Sequence, residues 1–242
     1  FNKEMKKTTL TLVLCLSIIG YSQEKFEGEI LYKISLNKPD FSKLEKNTQI
    51  SKKRKEEVKK AFKSSKSIKA TLLFNGNESL YSVKKSMNNE FNKKINFTKI
   101  FAGNANVFYV NPKKKEYFYQ TTIYGESMLI EMLQKNWKLT QEIKKIGGYT
   151  CYKAIDLNSK NHSTIAWYAP EIPLNFGPKK YFGLPGLVLE LQDSATLFSA
   201  IKIEINTKRI KIKRPSKGKK LTIEEYNELR NKKSLFKNRR KN

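Results

Sequence analysis

The chain has 242 residues, with 49 Lys and Arg against 22 Asp and Glu for a formal charge of +27. A basic excess of that size points toward nucleic acid, yet 43 of the 49 cations are Lys, only six are Arg, and they are spread over every segment instead of forming one stripe. Because phosphate and base recognition favours the bidentate guanidinium, the composition reads as solvated surface with no nucleic-acid partner, and the single histidine excludes a His-based metal cluster.

Residues 5 to 22 have the layout of a secretory signal: Met5-Lys6-Lys7 is the charged start, Leu10 to Ile19 the apolar run, and Gly20-Tyr21-Ser22 offers small residues at −3 and −1. Cleavage is expected after Ser22, and Phe1 to Glu4 read as an extension upstream of the initiator Met5. Cys15 is disfavoured as a lipid anchor because the bulky Leu14 precedes it. The apolar run is shorter than a membrane span, and no later segment approaches the roughly 18 apolar residues a span needs, so the mature chain is expected in the periplasm or outside the cell. Cleavage removes three Lys and one Glu, leaving 220 residues at +25 with one cysteine, Cys151, and hence no intramolecular disulfide.

Phe26, Gly28, Ile30, Tyr32, Ile34 and Leu36 alternate with Glu27, Glu29, Lys33 and Ser35, the pattern of a half-buried strand that Pro39 ends. Ser42-Lys43-Leu44-Glu45 has capping-box spacing and predicts one helix to about residue 66, laid lightly on the body by Leu44, Val58 and Phe62. Ala70 to Phe74 and Leu80 to Lys84 flank Asn75-Gly76, the dipeptide favoured in two-residue type I′ hairpins. Residues 86–100 are polar and Asn-rich, a loop or short helix. Val107 to Val110 and Glu116 to Thr121 form a hairpin around Asn111-Pro112, and Trp137 to Ile146 pairs with Tyr149 to Leu157 across Gly147-Gly148.

Cys151 sits mid-strand among aromatic and aliphatic neighbours, which favours a small buried hydrophobe over a nucleophile. His162 falls in the polar turn 158–163. Thr164 to Tyr168, Leu187 to Gln192 and Phe198 to Ile205 complete the strands. Thr222-Ile223-Glu224-Glu225 opens a short terminal helix inside a basic tail running from about 209 to 242. That tail and Lys52 to Lys60 are the basic runs suited to weak contact with anionic lipid or polysaccharide. With no repeat, heptad or second core, residues 23–242 read as one domain. The fold class is mainly β (α+β): about ten antiparallel strands in meander order, curved or forming an open half-barrel, with one inserted helix and a short C-terminal helix. Its inward positions are aromatic (Phe74, Tyr81, Phe108, Tyr117, Tyr119, Trp137, Tyr152, Trp167), which predicts a groove for an apolar ligand.

Residues 166–191 organise the chain. Four of the seven prolines, Pro170, Pro173, Pro178 and Pro185, alternate here with Gly177, Gly183 and Gly186, so the stretch can be neither helix nor regular ladder. It is bracketed by strand-like runs and carries Ile172, Leu174, Phe176, Tyr181, Phe182 and Leu184, so an ordered connection packed down on the core is predicted, with Gly183 and Gly186 at positive φ.

Gly183-Leu184-Pro185-Gly186-Leu187-Val188, preceded by Ala166-Trp167-Tyr168, Pro170-Glu171-Ile172-Pro173 and Gly177-Pro178, resembles the signature of the GLPGLI family of Bacteroidetes. Upstream, Trp137-Lys138-Leu139 and Gly148-Tyr149-Thr150-Cys151-Tyr152 stand in the order and spacing of that family. The departures are Val188 for the final Ile and Gly147 where a larger residue is common. The resemblance implies an exported envelope protein and no established activity.

The chain lacks Gly-x-Ser-x-Gly, Gly-x-Gly-x-x-Gly, a Walker loop, Cys-x-x-Cys and His-x-x-x-His, and no cofactor or metal is expected. Glu171 and Glu190, beside the signature, are the carboxylates to test; Glu171 is suited to accept hydrogen bonds from its own turn. The leading expectation is a non-enzymatic envelope protein that binds an apolar or peptide-like ligand or another envelope component. The alternatives are a hydrolase using Glu171 or Cys151 and a ligand-free assembly partner of outer-membrane machinery.

Overall fold

The computed structural model describes residues 26–84, 95–160, 163–207 and 209–239. The signal segment with Cys15 and the cleavage point after Ser22, most of the Asn-rich loop, and His162 lie outside the described residues.

β1 (Gly28–Leu36) carries out the alternation of its sequence, burying Ile30, Tyr32 and Ile34 completely while Lys33 faces solvent. It pairs antiparallel with β2 (Ile68–Phe74). Between them stand two helices, α1 (Ser42–Lys46) and α2 (Lys52–Lys63), in place of the single one expected. The Ser42 capping box does not form. Asp40 instead accepts from the Ser42 N–H at 2.9 Å and from its hydroxyl at 3.1 Å. The break between the helices has a local cause: the Asn47 side chain accepts from the Gln49 N–H at 2.9 Å, a turn that competes with helical bonding. Ser51 then restarts the helix by accepting from the Arg54 N–H at 3.3 Å. As expected, α2 lies lightly on the body; it buries no residue, and the Phe62 ring meets Phe41 at 5.6 Å and Phe97 at 5.7 Å.

β2 turns into β3 (Ser79–Val83) through four residues, 75–78, instead of a two-residue type I′ turn. The Asn75 carboxamide accepts from the Asn77 and Glu78 N–H groups, which closes the longer loop. After α3 (Phe97–Phe101) come β4 (Val107–Asn111), β5 (Glu116–Ile123) and β6 (Glu126–Glu131). β7 (Trp137–Ile146) and β8 (Tyr149–Asp156) pair as expected across Gly147 and Gly148, whose φ angles of 56° and 90° are the positive pair that a type I′ turn requires. β9 (Ile165–Ala169), β10 (Leu187–Gln192), β11 (Thr196–Ile205), β12 (Lys219–Leu221) and α4 (Ile223–Arg239) complete the described chain.

The strands form one open sheet in the order β12-β6-β5-β4-β3-β2-β1-β11-β10-β9-β8-β7. This is not the single meander expected. Two antiparallel runs, β1 to β6 and β7 to β11, are joined side by side where β1 pairs with β11, and β12 adds to β6 in parallel. The basic tail is in part built into this sheet. Arg214 forms a bidentate pair with Glu116 at 2.9 and 2.7 Å, and its guanidinium lies 5.1 Å from the centroid of the Phe118 ring. Nearby, Ile212 packs on Tyr109, Phe118 and Leu129. α4 opens where expected, with a capping box in which the Thr222 N–H donates to Glu225 at 2.8 Å and the Glu225 N–H to the Thr222 hydroxyl at 3.2 Å. At 17 residues it is longer than expected, and Tyr226 and Leu229 pack on Met128, Ile130 and Leu221. No helix among the described residues is long and apolar enough to cross a membrane.

Candidate functional site

Residues 170–186 connect β9 to β10 by lying across one face of the sheet. Ile172, Leu174, Phe176, Tyr181, Phe182 and Leu184 are buried in a common cluster with Ile30, Tyr32, Ile34, Leu72 and Phe74. The loop is fixed by its own backbone: the Leu187 N–H donates to the Ile172 carbonyl at 3.0 Å, Val188 to Phe176 at 3.0 Å, and Gly183 to Asn175 at 2.9 Å. From the sheet below, the buried Tyr32 hydroxyl donates to the Val188 carbonyl, and the Trp137 indole N–H donates to the Phe182 carbonyl at 3.0 Å. The Phe182 ring stacks on Tyr117 at 4.9 Å. Most of the expected aromatic groove is therefore filled by the chain itself, with Phe108 and Tyr119 also lining an open cavity. Phe74, Tyr81 and Phe108 are buried, and Tyr117, Tyr119, Trp137, Tyr152 and Trp167 pack half-buried against the same cluster.

The glycines of the signature divide by role. Gly183 takes a φ of 93°, as expected. Gly186 does not sit in the left-handed region. It is needed because a Cβ there would strike the carbonyl of Ala169 and come within 2.8 Å of the Pro170 nitrogen. At Gly177 a Cβ would strike the Tyr181 carbonyl and lie 2.9 Å from Val188 Cγ2. Pro178 is buried at this close approach, whereas Pro170, Pro173 and Pro185 remain exposed and set the path of the chain.

The remaining predicted residues gather at the β8–β9–β10 end of the sheet. Ala166 is fully buried in β9, Leu187 in β10, and Tyr149 is half-buried just after the Gly148 turn. Glu171 does not serve its own turn: its carboxylate accepts from the Thr150 N–H at 3.0 Å and ties the loop to β8. Glu190 pairs with Lys144 at 2.6 Å, and the same ammonium lies 4.4 Å from the centroid of the Trp167 ring. Cys151 is completely buried. Burial pushes its thiol up to about 11, opposed by Lys144 and reinforced by Glu171 and Glu190. A thiol held there is protonated at neutral pH, which suits a core hydrophobe. Native protein should thus react slowly with a thiol reagent and rapidly once denatured, and Cys151→Ser should cost about 1–3 kcal/mol by burying a hydroxyl without an assured partner. Fast native labelling at pH 7 would revive the nucleophile.

Among the clefts that stay open, one of about 430 Å³ lies between α3, the end of β6, the first turn of α4 and the loop at Lys179 and Lys180. Phe101, Phe108, Tyr119, Met132, Leu133 and Tyr226 supply its apolar wall. Lys179 is held in place at some backbone cost, with a φ of 55°. Its ammonium donates to the Phe101 carbonyl at 2.6 Å and lies 3.9 Å from the Asp193 carboxylate. Burial lowers its pKa to about 8, Asp193 opposing and the Lys180 charge adding to the fall. Asp193 is itself held by the turn that follows β10, accepting from the Thr196 N–H and hydroxyl at 2.8 Å each.

A family model described as a protein of unknown function (Porph_ging) matches residues 156–190, the stretch from the end of β8 through the loop into β10. No curated protein matches the sequence. Two solved structures of PNGF-II, in space groups C2 and P21, each resemble the chain with a TM-score of 0.51 and 18% identity. The first likeness covers 84% of this chain and 32% of that one, the second 85% and 33%, so the chain spans about a third of the length of PNGF-II. An uncharacterized conserved protein from Thermus thermophilus is similar at a TM-score of 0.35 and 7% identity, over 88% of this chain and 99% of that one.

The cavity was not legible in the sequence. Lys135, Lys179 and Lys180 are three among 43 lysines, and nothing in their spacing separates them from the solvated ones. A usable signal lay beside two of them, in Gly177-Pro178-Lys179-Lys180-Tyr181, where a pair of cations interrupts an otherwise apolar, conformationally fixed loop. Among the described residues, no group of three or more His, Cys, Asp and Glu side chains is placed to hold a metal ion.

Proposed function

We propose that the chain is an exported envelope protein of the GLPGLI type that binds an apolar or peptide-like ligand and catalyses no reaction on it. The observation that carries this reading is the cavity of about 430 Å³ with four aromatic side chains in its wall, a volume within the roughly 300–1,000 Å³ of small-molecule sites. The Gly183 to Val188 hexapeptide, inside the stretch matched by the family model, supports the family, and residues 5–22 support export. The hydrolase alternative loses support at both of its residues, since Glu171 is engaged by the Thr150 amide and burial keeps the Cys151 thiol protonated. The test is native mass spectrometry of the protein isolated from its own periplasm. A co-purified mass released on denaturation is the expected result. A bare chain in every preparation would count against a carrier and favour the ligand-free assembly partner.

A further inference from the structure

Three ammonium groups gather at the loop end of this cavity. The Nζ atoms of Lys135, Lys179 and Lys180 lie 5.8, 6.0 and 5.8 Å from the centroid of the Tyr181 ring. Two have partners: Lys135 pairs with the buried carboxylate of Asp156 at 3.1 Å, and Lys179 has the Phe101 carbonyl and Asp193. Lys180, exposed at the rim, has no ion pair among the described residues. Of the side chains lining the cavity only Glu131 is a carboxylate, while Asp156 and Asp193 sit behind the wall and offset Lys135 and Lys179, which leaves Lys180 as the cation of the three without an ion pair. Like charges brought together beside low-dielectric surface oppose one another, and an anion placed among them relieves that opposition. At the mouth, Leu133 and Ile100 remain 61% and 49% exposed, extending the apolar path outward from the cations.

We infer that the ligand is an amphiphile with a single anionic head, a carboxylate or a phosphate, held by Lys180 together with Lys135 and Lys179, its apolar body lying against Phe108, Tyr119 and Leu133. This rests on the binding reading above and narrows it by specifying the head. Lys180 is the specificity-determining residue because its ammonium is the one left for the ligand. Lys135 and Lys179, already engaged, set the potential into which the head moves.

The test is calorimetric titration of the purified, processed protein with four twelve-carbon probes: laurate, dodecyl phosphate, dodecanol and dodecyltrimethylammonium. At least one of the two anions should bind about tenfold tighter than dodecanol, the cation should bind weakest, and the tighter anion identifies the head. Lys180→Gln should reduce anion affinity about tenfold, leave dodecanol unchanged and keep the parent melting temperature, while Lys180→Arg should retain anion affinity. Dodecanol binding as tightly as both anions, or Lys180→Gln binding the anions like the parent, would overturn the anionic head and leave an apolar carrier standing. Failure of all four probes together with a bare native mass spectrum would remove the carrier itself.

Discussion

Gly186→Ala should lower the melting temperature by roughly 6–12 °C, because a methyl group there has nowhere to go. The atoms in its way are the Ala169 carbonyl and the Pro170 nitrogen, backbone that the adjoining β9–β10 pairing holds in place. Forcing backbone apart in a packed region costs about 3 kcal/mol, and each kcal/mol is worth about 2–4 °C in a chain of this size. Gly177→Ala should behave alike, since its Cβ would meet the Tyr181 carbonyl. Gly183→Ala should cost less despite the positive φ, because its Cβ would meet the side chain of Gln134, which is exposed and can swing away. Thermal unfolding of the three variants checks the ranking. A Gly183→Ala protein less stable than Gly186→Ala would mean that left-handed geometry, not close approach, is what the hexapeptide protects.

A still larger effect is expected from Phe182→Ala, about 3–5 kcal/mol by denaturant unfolding. The side chain is 1% exposed and lies flat on Tyr117, and the residue's carbonyl holds the Trp137 indole. Truncation would leave a void between the loop and the β5 face, with no neighbouring element free to collapse into it. Phe182→Leu, which keeps most of the volume, should recover the greater part. A loss below 1 kcal/mol for Phe182→Ala would show that the loop is not a structural part of the core.

The elements that could be read from the sequence are those decided locally. β1 was legible because its alternation comes from side chains a few residues apart, and the β7–β8 turn because two glycines in a row allow the required φ pair. The loop was legible as an ordered, core-facing connection because Pro and Gly restrict the backbone whatever surrounds them. The β5–β6 turn was not: Tyr124 and Gly125 adopt φ of 52° and 83°, the same paired geometry, but a tyrosine gives no warning of it. β12 is three residues long and exists only because β6 lies alongside it. The strand order escaped for the same reason, since the β1–β11 pairing leaves no trace in either strand's own composition. Of the site, Cys151 and the packed signature were foreseen, whereas the role of Glu171 as a tie to β8 and the lysine-rimmed cavity depend on contacts between distant segments.

The pairing of β1 with β11 also sets a schedule. Gly28 faces Ile205 and Leu36 faces Thr196, so one side of the first described strand to leave the ribosome waits for partners near the far end of the chain. At about 5–20 residues per second that interval is roughly ten to thirty seconds, during which β1 presents an unsatisfied edge with apolar side chains. Closure over such a separation is slow in any case, and it cannot be completed on a partly made chain. The same delay has a use. A polypeptide that cannot lock its central seam early remains threadable, and a secretion channel of the kind residues 5–22 are proposed to engage accepts only such a chain.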